Sequence, residues 1–185
     1  PIAVYALQVF CPACDGAGEL NGGRSFLPGD NPSAVNAAHR EWATRRHGDL
    51  EGFWPKSDIP YGERTHIKDP LPKHGFRNWC DFFNPRQLLV HASLLRAISH
   101  AGNSQAAELV LGSLQQYLRL NNMFSIWHLR NNQISASLSN NNFNPKSTSV
   151  EPSVFGPVGD GSWRSAVKPL AAVLKWTASP TELVR

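Results

Sequence analysis

The chain of 185 residues carries a formal charge of +4 and is 41% hydrophobic, with a pI near 9.2. That length suits one domain, or one domain with an attached lobe, large enough to bury a core without disulfides. No apolar run approaches the ~20 residues that would span a bilayer, and the first ten residues lack the basic start of a signal peptide. The expectation is therefore a soluble, cytoplasmic chain with no membrane partner. The modest positive charge is compatible with a polyanionic partner but does not demand one.

Residues 2–10, IAVYALQVF, form an apolar, β-branched and aromatic run that predicts a buried strand leading into Cys11-Pro12-Ala13-Cys14. DGAGELNGGR then reads as a loop, and Arg24 to Leu27 as the return strand of a hairpin. Asp30 or Asn31 can cap a helix with Pro32 in its first turn, Val35, Ala38 and Trp42 on its inner face, and Gly48 just past its end. His39, Arg40, Arg45, Arg46 and His47 fall on or near its outer side. From Asp49 to Lys73 the chain has four prolines and no sustained period, which predicts an irregular crossing with a turn at Tyr61-Gly62-Glu63.

The segment His74 to His100 should nucleate the core, with the aromatic cluster Phe76, Trp79, Phe82 and Phe83 preceding the best apolar helical face in the sequence. Asn84 is a good N-cap, Pro85 suits the first helical position, and Gln87 completes a capping box. Leu88, Leu89, Ala92, Leu95 and Ile98 form the inner stripe, and Gly102 offers a stop. A second helix, capped by Asn103 or Ser104, should turn Ala107, Leu111, Leu114 and Leu118 inward and pair with the first as a helical hairpin. Asn121 and Asn122 follow, then a polar stretch from Arg130 that is too long for an idle connector. Trp163 to Trp176 has helical spacing at Val167, Leu170 and Leu174, with Pro169 required either to sit in a first turn or to kink the helix.

Three cysteines, two in one CxxC, argue for a metal knuckle or redox pair in a reducing compartment. Cys11 and Cys14 have the spacing of half a zinc site; only Cys80 and histidines such as His66 and His74 could add ligands, and none has the matching spacing. CPACDGAG also fits one copy of the CxxCxGxG of J-domain chaperones, which need several. A thioredoxin-like redox pair would need a helix after the first cysteine, which Asp15-Gly16-Ala17-Gly18 does not favour. His39-Arg40-Glu41 does not match zinc deaminases, because the cysteine pair precedes it. Neither a Gly-rich phosphate loop nor a GxSxG or HExxH motif is present. Arg77 and Arg86 flank the aromatic cluster. Arg86 lies in a helical first turn, where the dipole disfavours a cation, so it either meets a partner anion or pairs with a carboxylate such as Asp81. Asn121 and Asn122 can simply close the preceding helix.

Taken in order, YALQVFCPAC, GRSFLPGD, IPYGE, HGFRNWCDFFNPRQLL, LNNMF, NPKSTSVEPSVFG, GDGSW and SPTELVR resemble the middle of the zinc-ribbon-containing adenine-specific DNA methylases, over nearly the whole chain. The resemblance implies an insertion between an S-adenosylmethionine-binding half and a catalytic half with Asp-Pro-Pro-Tyr, neither of which these residues contain. It implies no catalytic residue here, S-adenosylmethionine bound elsewhere in the parent enzyme, and zinc shared with cysteine knuckles lying before Pro1, so that the chain is a piece of something longer. It also implies double-stranded DNA and the remaining methyltransferase halves as partners. An enzyme that flips adenine out of the duplex needs a lobe that grips phosphates. Arg45, Arg46, Arg77, Arg86, Asn121, Asn122, Arg130 and Lys146 are the candidate DNA contacts, with the loop from Arg130 to Phe155 approaching DNA. The expected fold is α+β, mainly α: residues 1–30 as a hairpin with half a zinc ribbon, packed on a helical bundle with long loops at 31–185. The alternatives are a protein-docking scaffold of a restriction-modification or phage-defence system, and a free-standing redox or metal-binding protein.

Overall fold

A computed structural model describes residues 4–19, 22–29, 33–68, 70–128, 130, 133–135, 149–157 and 159–181. The fold is mixed α+β and mainly helical. The chain divides into two compact units, residues 1–41 and 42–185.

In the first unit β1 (Ala6–Phe10) pairs antiparallel with β2 (Arg24–Pro28), Ala6 opposite Pro28 and Phe10 opposite Arg24. The strand is shorter than the apolar run suggested and is not buried: Tyr5, Leu7, Phe26 and Leu27 are exposed. Between the strands lies α1 (Pro12–Gly16), a short helix capped by Cys11. The loop expected from Asp15 onward thus starts later, because Pro12 at the first helical position and the Cys11 cap offset the weak helix-forming residues. Gly23 closes the hairpin. Its φ of +69° and the 2.3 Å that would separate a Cβ from the Cys11 carbonyl leave room for glycine alone, and its carbonyl accepts from the Cys11 N–H at 2.7 Å. Helix α2 (Ser33–Arg45) follows with Val35 buried; its proposed cap at residues 30–31 and Pro32 lie outside the described residues.

The second unit starts with Trp42. Between α2 and the central helix the crossing is a series of short helical turns at Glu51–Phe53, Glu63–Ile67, Leu71–His74 and Trp79–Phe82. These turns deliver the aromatic cluster as the sequence suggested. Phe82 meets Phe124 edge-to-face at 4.7 Å and Trp79 at 5.3 Å, and Phe76 lies 5.0 Å from Phe124, with Leu71 and Ile59 buried beside them. Offset and edge-on aromatic pairs add to plain area burial.

The central helix α3 (Pro85–Ser99) starts where its capping residues place it: Asn84 Oδ1 accepts from the Gln87 N–H at 2.9 Å, and Gln87 Oε1 from the Asn84 N–H at 3.0 Å. Leu88 and Ala92 pack with Trp42 and Leu50. Its end is made by His100, whose backbone N–H reaches the carbonyls of Arg96 and Ile98, while Gly102 has no positive φ and is not the stop. Helix α4 (Ser104–Leu120), capped by Asn103, packs against α3 and against α5 (Trp163–Ala178). Its inward stripe is Ala107, Val110, Leu114, Tyr117 and Leu118, whereas Leu111 is 39% exposed. The stripe is rotated because the bulky Tyr117 takes the buried position. In α5 Trp163 and Ala166 join this cluster, but Leu174 points outward with Val173 and Trp176. Pro169 lies inside α5, seven residues along, rather than in its first turn. A second small hairpin pairs β3 (Ile126–His128) with β4 (Gln133–Ser135).

The long-range link in this unit is Glu151. Its carboxylate takes a forked pair from Arg86, Nε at 2.8 Å and Nη2 at 2.6 Å, and a third bond from Asn84 Nδ2 at 2.8 Å. Asp81, proposed as the Arg86 partner, instead accepts from the Arg77 and Asn78 backbone N–H groups. Removing Glu151 strands a half-buried guanidinium. Glu151→Ala should therefore cost about 3 kcal/mol, a drop of about 6–12 °C in Tm, and Glu151→Gln roughly half as much; urea titration and a thermal melt read both.

Candidate functional site

Of the eight proposed DNA contacts, four are engaged within the protein. Arg86 is held by Glu151. Arg45 makes a forked pair with Asp49, 3.1 Å from Nε and 2.8 Å from Nη2, and Arg96 stands 3.8 Å from the same carboxylate. These neighbours, the Arg45 hydrogen bonds first, hold the Asp49 carboxyl below its ordinary range.

Asn121 and Asn122 are 1% and 0% exposed and reach no solvent or nucleic acid. Asn121 Nδ2 donates to the Tyr117 and Gly161 carbonyls at 2.9 and 2.8 Å. Asn122 Nδ2 donates to the Leu118 and Arg119 carbonyls, while its Oδ1 accepts from the Phe124 N–H at 2.9 Å. Both satisfy the orphan carbonyls at the end of α4, where a missing partner costs about 1–3 kcal/mol per group. They are helix-closing residues, and the base-reading role is corrected accordingly. Gly161, with φ +90° and no room for a Cβ against Pro152, presents the carbonyl that Asn121 needs.

Arg46, Arg77 and Arg130 are exposed. The proposed DNA-approaching loop lies largely outside the described residues, Lys146 with it. Of the proposed contacts, the structure therefore leaves three arginines exposed and turns the asparagines inward.

Cys11 caps α1 and Cys14 lies within it, the Cys14 N–H 3.4 Å from Cys11 Sγ. Hydrogen bonds from Cys14 lower the Cys11 pKa, and the bond to Cys11 raises that of Cys14. A thiol whose pKa is lowered at a short helical turn suits a metal ligand or a reactive thiol. Among the described residues no cluster of three or more His, Cys, Asp or Glu could hold a metal. His66 Nδ1 lies 2.8 Å from Thr65 Oγ1, and burial raises the Cys80 pKa.

A residue that the sequence reading passed over is His91. It occupies the apolar stripe of α3 between Leu88 and Leu95, is buried, and neither ring nitrogen has a hydrogen-bond partner. Phe83 and Tyr117 stand perpendicular to its ring at 5.0 and 5.4 Å. Burial lowers its pKa to about 3, so the ring is neutral and offers one donor and one acceptor. It lines a cavity of about 630 Å3 whose walls include Trp54, Trp79, Phe83, Ala92, Leu95 and Leu114. The signal was present: a histidine at i+3 in a Leu-x-x-His-Ala-x-x-Leu stripe must go inward with its neighbours.

Comparison with protein-family models, curated proteins and solved structures finds no match to this chain.

Two outcomes follow from this chemistry. A histidine whose pKa falls on folding stabilises fully above its unfolded value of ~6.5 and progressively less as pH drops toward about 3, because the unfolded chain takes up the proton first. Between pH 7 and pH 5 urea denaturation should show His91 withdrawing about 2 kcal/mol, a loss absent from His91→Leu. In the folded chain iodoacetamide should modify Cys11 ahead of Cys14 and Cys80, as read by peptide mass spectrometry over time; equal rates would contradict the lowering of the Cys11 pKa by its hydrogen bonds from Cys14.

Proposed function

We propose that this chain is a non-catalytic accessory region of an adenine-specific DNA methyltransferase that uses S-adenosylmethionine bound elsewhere. The observation that carries the reading is that four of the ordered motifs of the resemblance meet as the joints of one packed unit. Asn84 and Arg86 of NPRQLL grip Glu151 of VEPSVFG, Asn121 of LNNMF reaches Gly161 of GDGSW, and the Met123 N–H donates to the Phe82 carbonyl at 2.7 Å. Segments far apart in sequence that hold one another in space act as a set, and this supports reading them as the framework of a single insertion.

In this reading direct contact with duplex DNA rests on phosphate-binding arginines, Arg46, Arg77 and Arg130, and adenine recognition lies outside the described residues. Cys11 and Cys14 supply two of the four ligands of a zinc ribbon, the others coming from preceding knuckles, and the hairpin is the ribbon's last arm. The protein-docking alternative has an observation of its own: Val173, Leu174 and Trp176 are each about half exposed on α5, a patch that suits burial against another protein surface, the remaining methyltransferase halves among them.

Duplex binding measured from 50 to 300 mM salt tests the DNA reading. Arg77→Ala with Arg130→Ala should weaken binding irrespective of sequence and reduce the slope of log K against log salt by about 2. Asn122→Ala should lower stability yet leave the slope of the folded protein unchanged. An unaltered slope in the arginine double variant would remove direct DNA binding and leave the docking role.

A further inference from the structure

Several cations of the second unit meet carboxylates: Arg45 and Arg96 share Asp49, Lys56 meets Glu51, Lys68 meets Glu63 and Arg86 meets Glu151. Helix α5 departs from that pattern. It carries Arg164, Lys168 and Lys175 and no acidic residue, and so supplies +3 of the chain's formal net charge of +4. All three side chains are exposed, and among the described residues none has a hydrogen-bond or ion-pair partner. Steps of four and seven place positions 164, 168, 171 and 175 on one stripe of the helix, about 16 Å long. The remaining member of the stripe is Ala171, so nothing bulky stands between the cations. The arrangement disfavours the free helix. Arg164 and Lys168 are like charges one turn apart, and Arg164 is the second residue of α5, where the dipole opposes a cation. Arg86 holds the same position in α3 but has Glu151 beside it. The side of α5 turned from this stripe begins in the core, with Trp163 and Ala166 packed in the α3–α4 cluster.

We propose that this stripe is a phosphate-binding face for duplex DNA, on which Arg164, Lys168 and Lys175 each meet a backbone phosphate. The inference rests on the reading of the chain as a DNA-contacting accessory region, and adds three contacts to those of Arg46, Arg77 and Arg130. A duplex carries one negative charge per ~1.7 Å of its axis, so a row of cations uninterrupted by a carboxylate is matched along its whole length. A bound phosphate also relieves the Arg164–Lys168 repulsion and neutralises the cation at the helix start. Contacts of this kind position the duplex and carry no sequence preference. An anionic membrane fits less well. A helix lying in a bilayer surface presents its whole apolar arc to the lipid, whereas Trp163 and Ala166 of α5 are packed against the α3–α4 cluster and only Val173, Leu174 and Trp176 remain exposed.

The test titrates the full chain with a fluorescein-labelled duplex over a range of salt. Arg164→Gln, Lys168→Gln and Lys175→Gln together should weaken binding by about tenfold or more at low salt and lower the slope of log K against log salt by about 3. Arg24→Gln, Lys56→Gln and Lys68→Gln remove the same charge from other exposed positions and should lower the slope by less than about 1. Circular dichroism should show the α5 variant as helical as the wild type. A second readout needs no variant: saturating duplex should protect Lys168 and Lys175 from acetic anhydride more than Lys56 and Lys68, as read by peptide mass spectrometry. A wild-type chain that does not bind duplex would remove this inference together with the DNA reading. A slope that falls with Arg77→Ala and Arg130→Ala but not with the α5 variant would remove this inference alone, as would acetylation of Lys168 and Lys175 that duplex leaves unchanged. So would an α5 variant that loses binding to phosphatidylserine-containing vesicles while keeping its affinity for duplex, which would give the stripe to a membrane surface.

Discussion

One carboxylate ties the second unit together across more than sixty residues of chain. Glu151 meets the start of α3, where it pairs Arg86, bonds the Asn84 amide and brings negative charge to a helix N-terminus. Arg86 alone would be a cation placed against the helix dipole; with Glu151 beside it, the first turn carries a satisfied ion pair instead. Asn84 is doubly used, its oxygen capping the helix and its nitrogen holding the carboxylate. The helix start is therefore also the docking point of the segment that leads to α5.

The end of α4 uses the same device with neutral groups. Two buried asparagines absorb the carbonyls that the helix leaves unpaired and pass the chain on through Phe124, whose ring completes the aromatic cluster built by Phe76, Trp79 and Phe82. Polar side chains at these joints fix geometry that apolar packing alone would leave loose, because each has one set of partners that satisfies it. The consequence is that two asparagines with the look of nucleic-acid readers are occupied in holding the fold.

Around this frame the packing is uneven. The cavity with His91 on its wall is lined by Trp79 and Phe82 of the aromatic cluster and by Leu95, Leu114 and Leu118 of the α3–α4 contact. Holding a neutral imidazole there without a partner makes this part of the fold acid-sensitive. The exposed apolar residues of β1, β2 and α5 are a separate feature, and they leave each unit with surface suited to further burial.

Local signals set much of this architecture in advance. The α3 start was legible because Asn84, Pro85 and Gln87 act within one turn, and the β1–β2 hairpin because its two runs flank a glycine-rich loop. Helical periodicity gave Leu88, Ala92 and Ile98 as core. What sequence could not give was any partner at long range: that Arg86 meets Glu151 rather than the nearby Asp81, that Tyr117 rotates the face of α4 and sends Leu111 outward, and that Asn121 reaches Gly161. Hydrogen bonds of that kind carry no period and no spacing, so only the folded chain selects among the carboxylates and carbonyls available. The cavity belongs to the same class. The residues of α3 and α4 fixed its apolar character, but its volume arises from how several separate segments, the turn bearing Arg64 among them, come together.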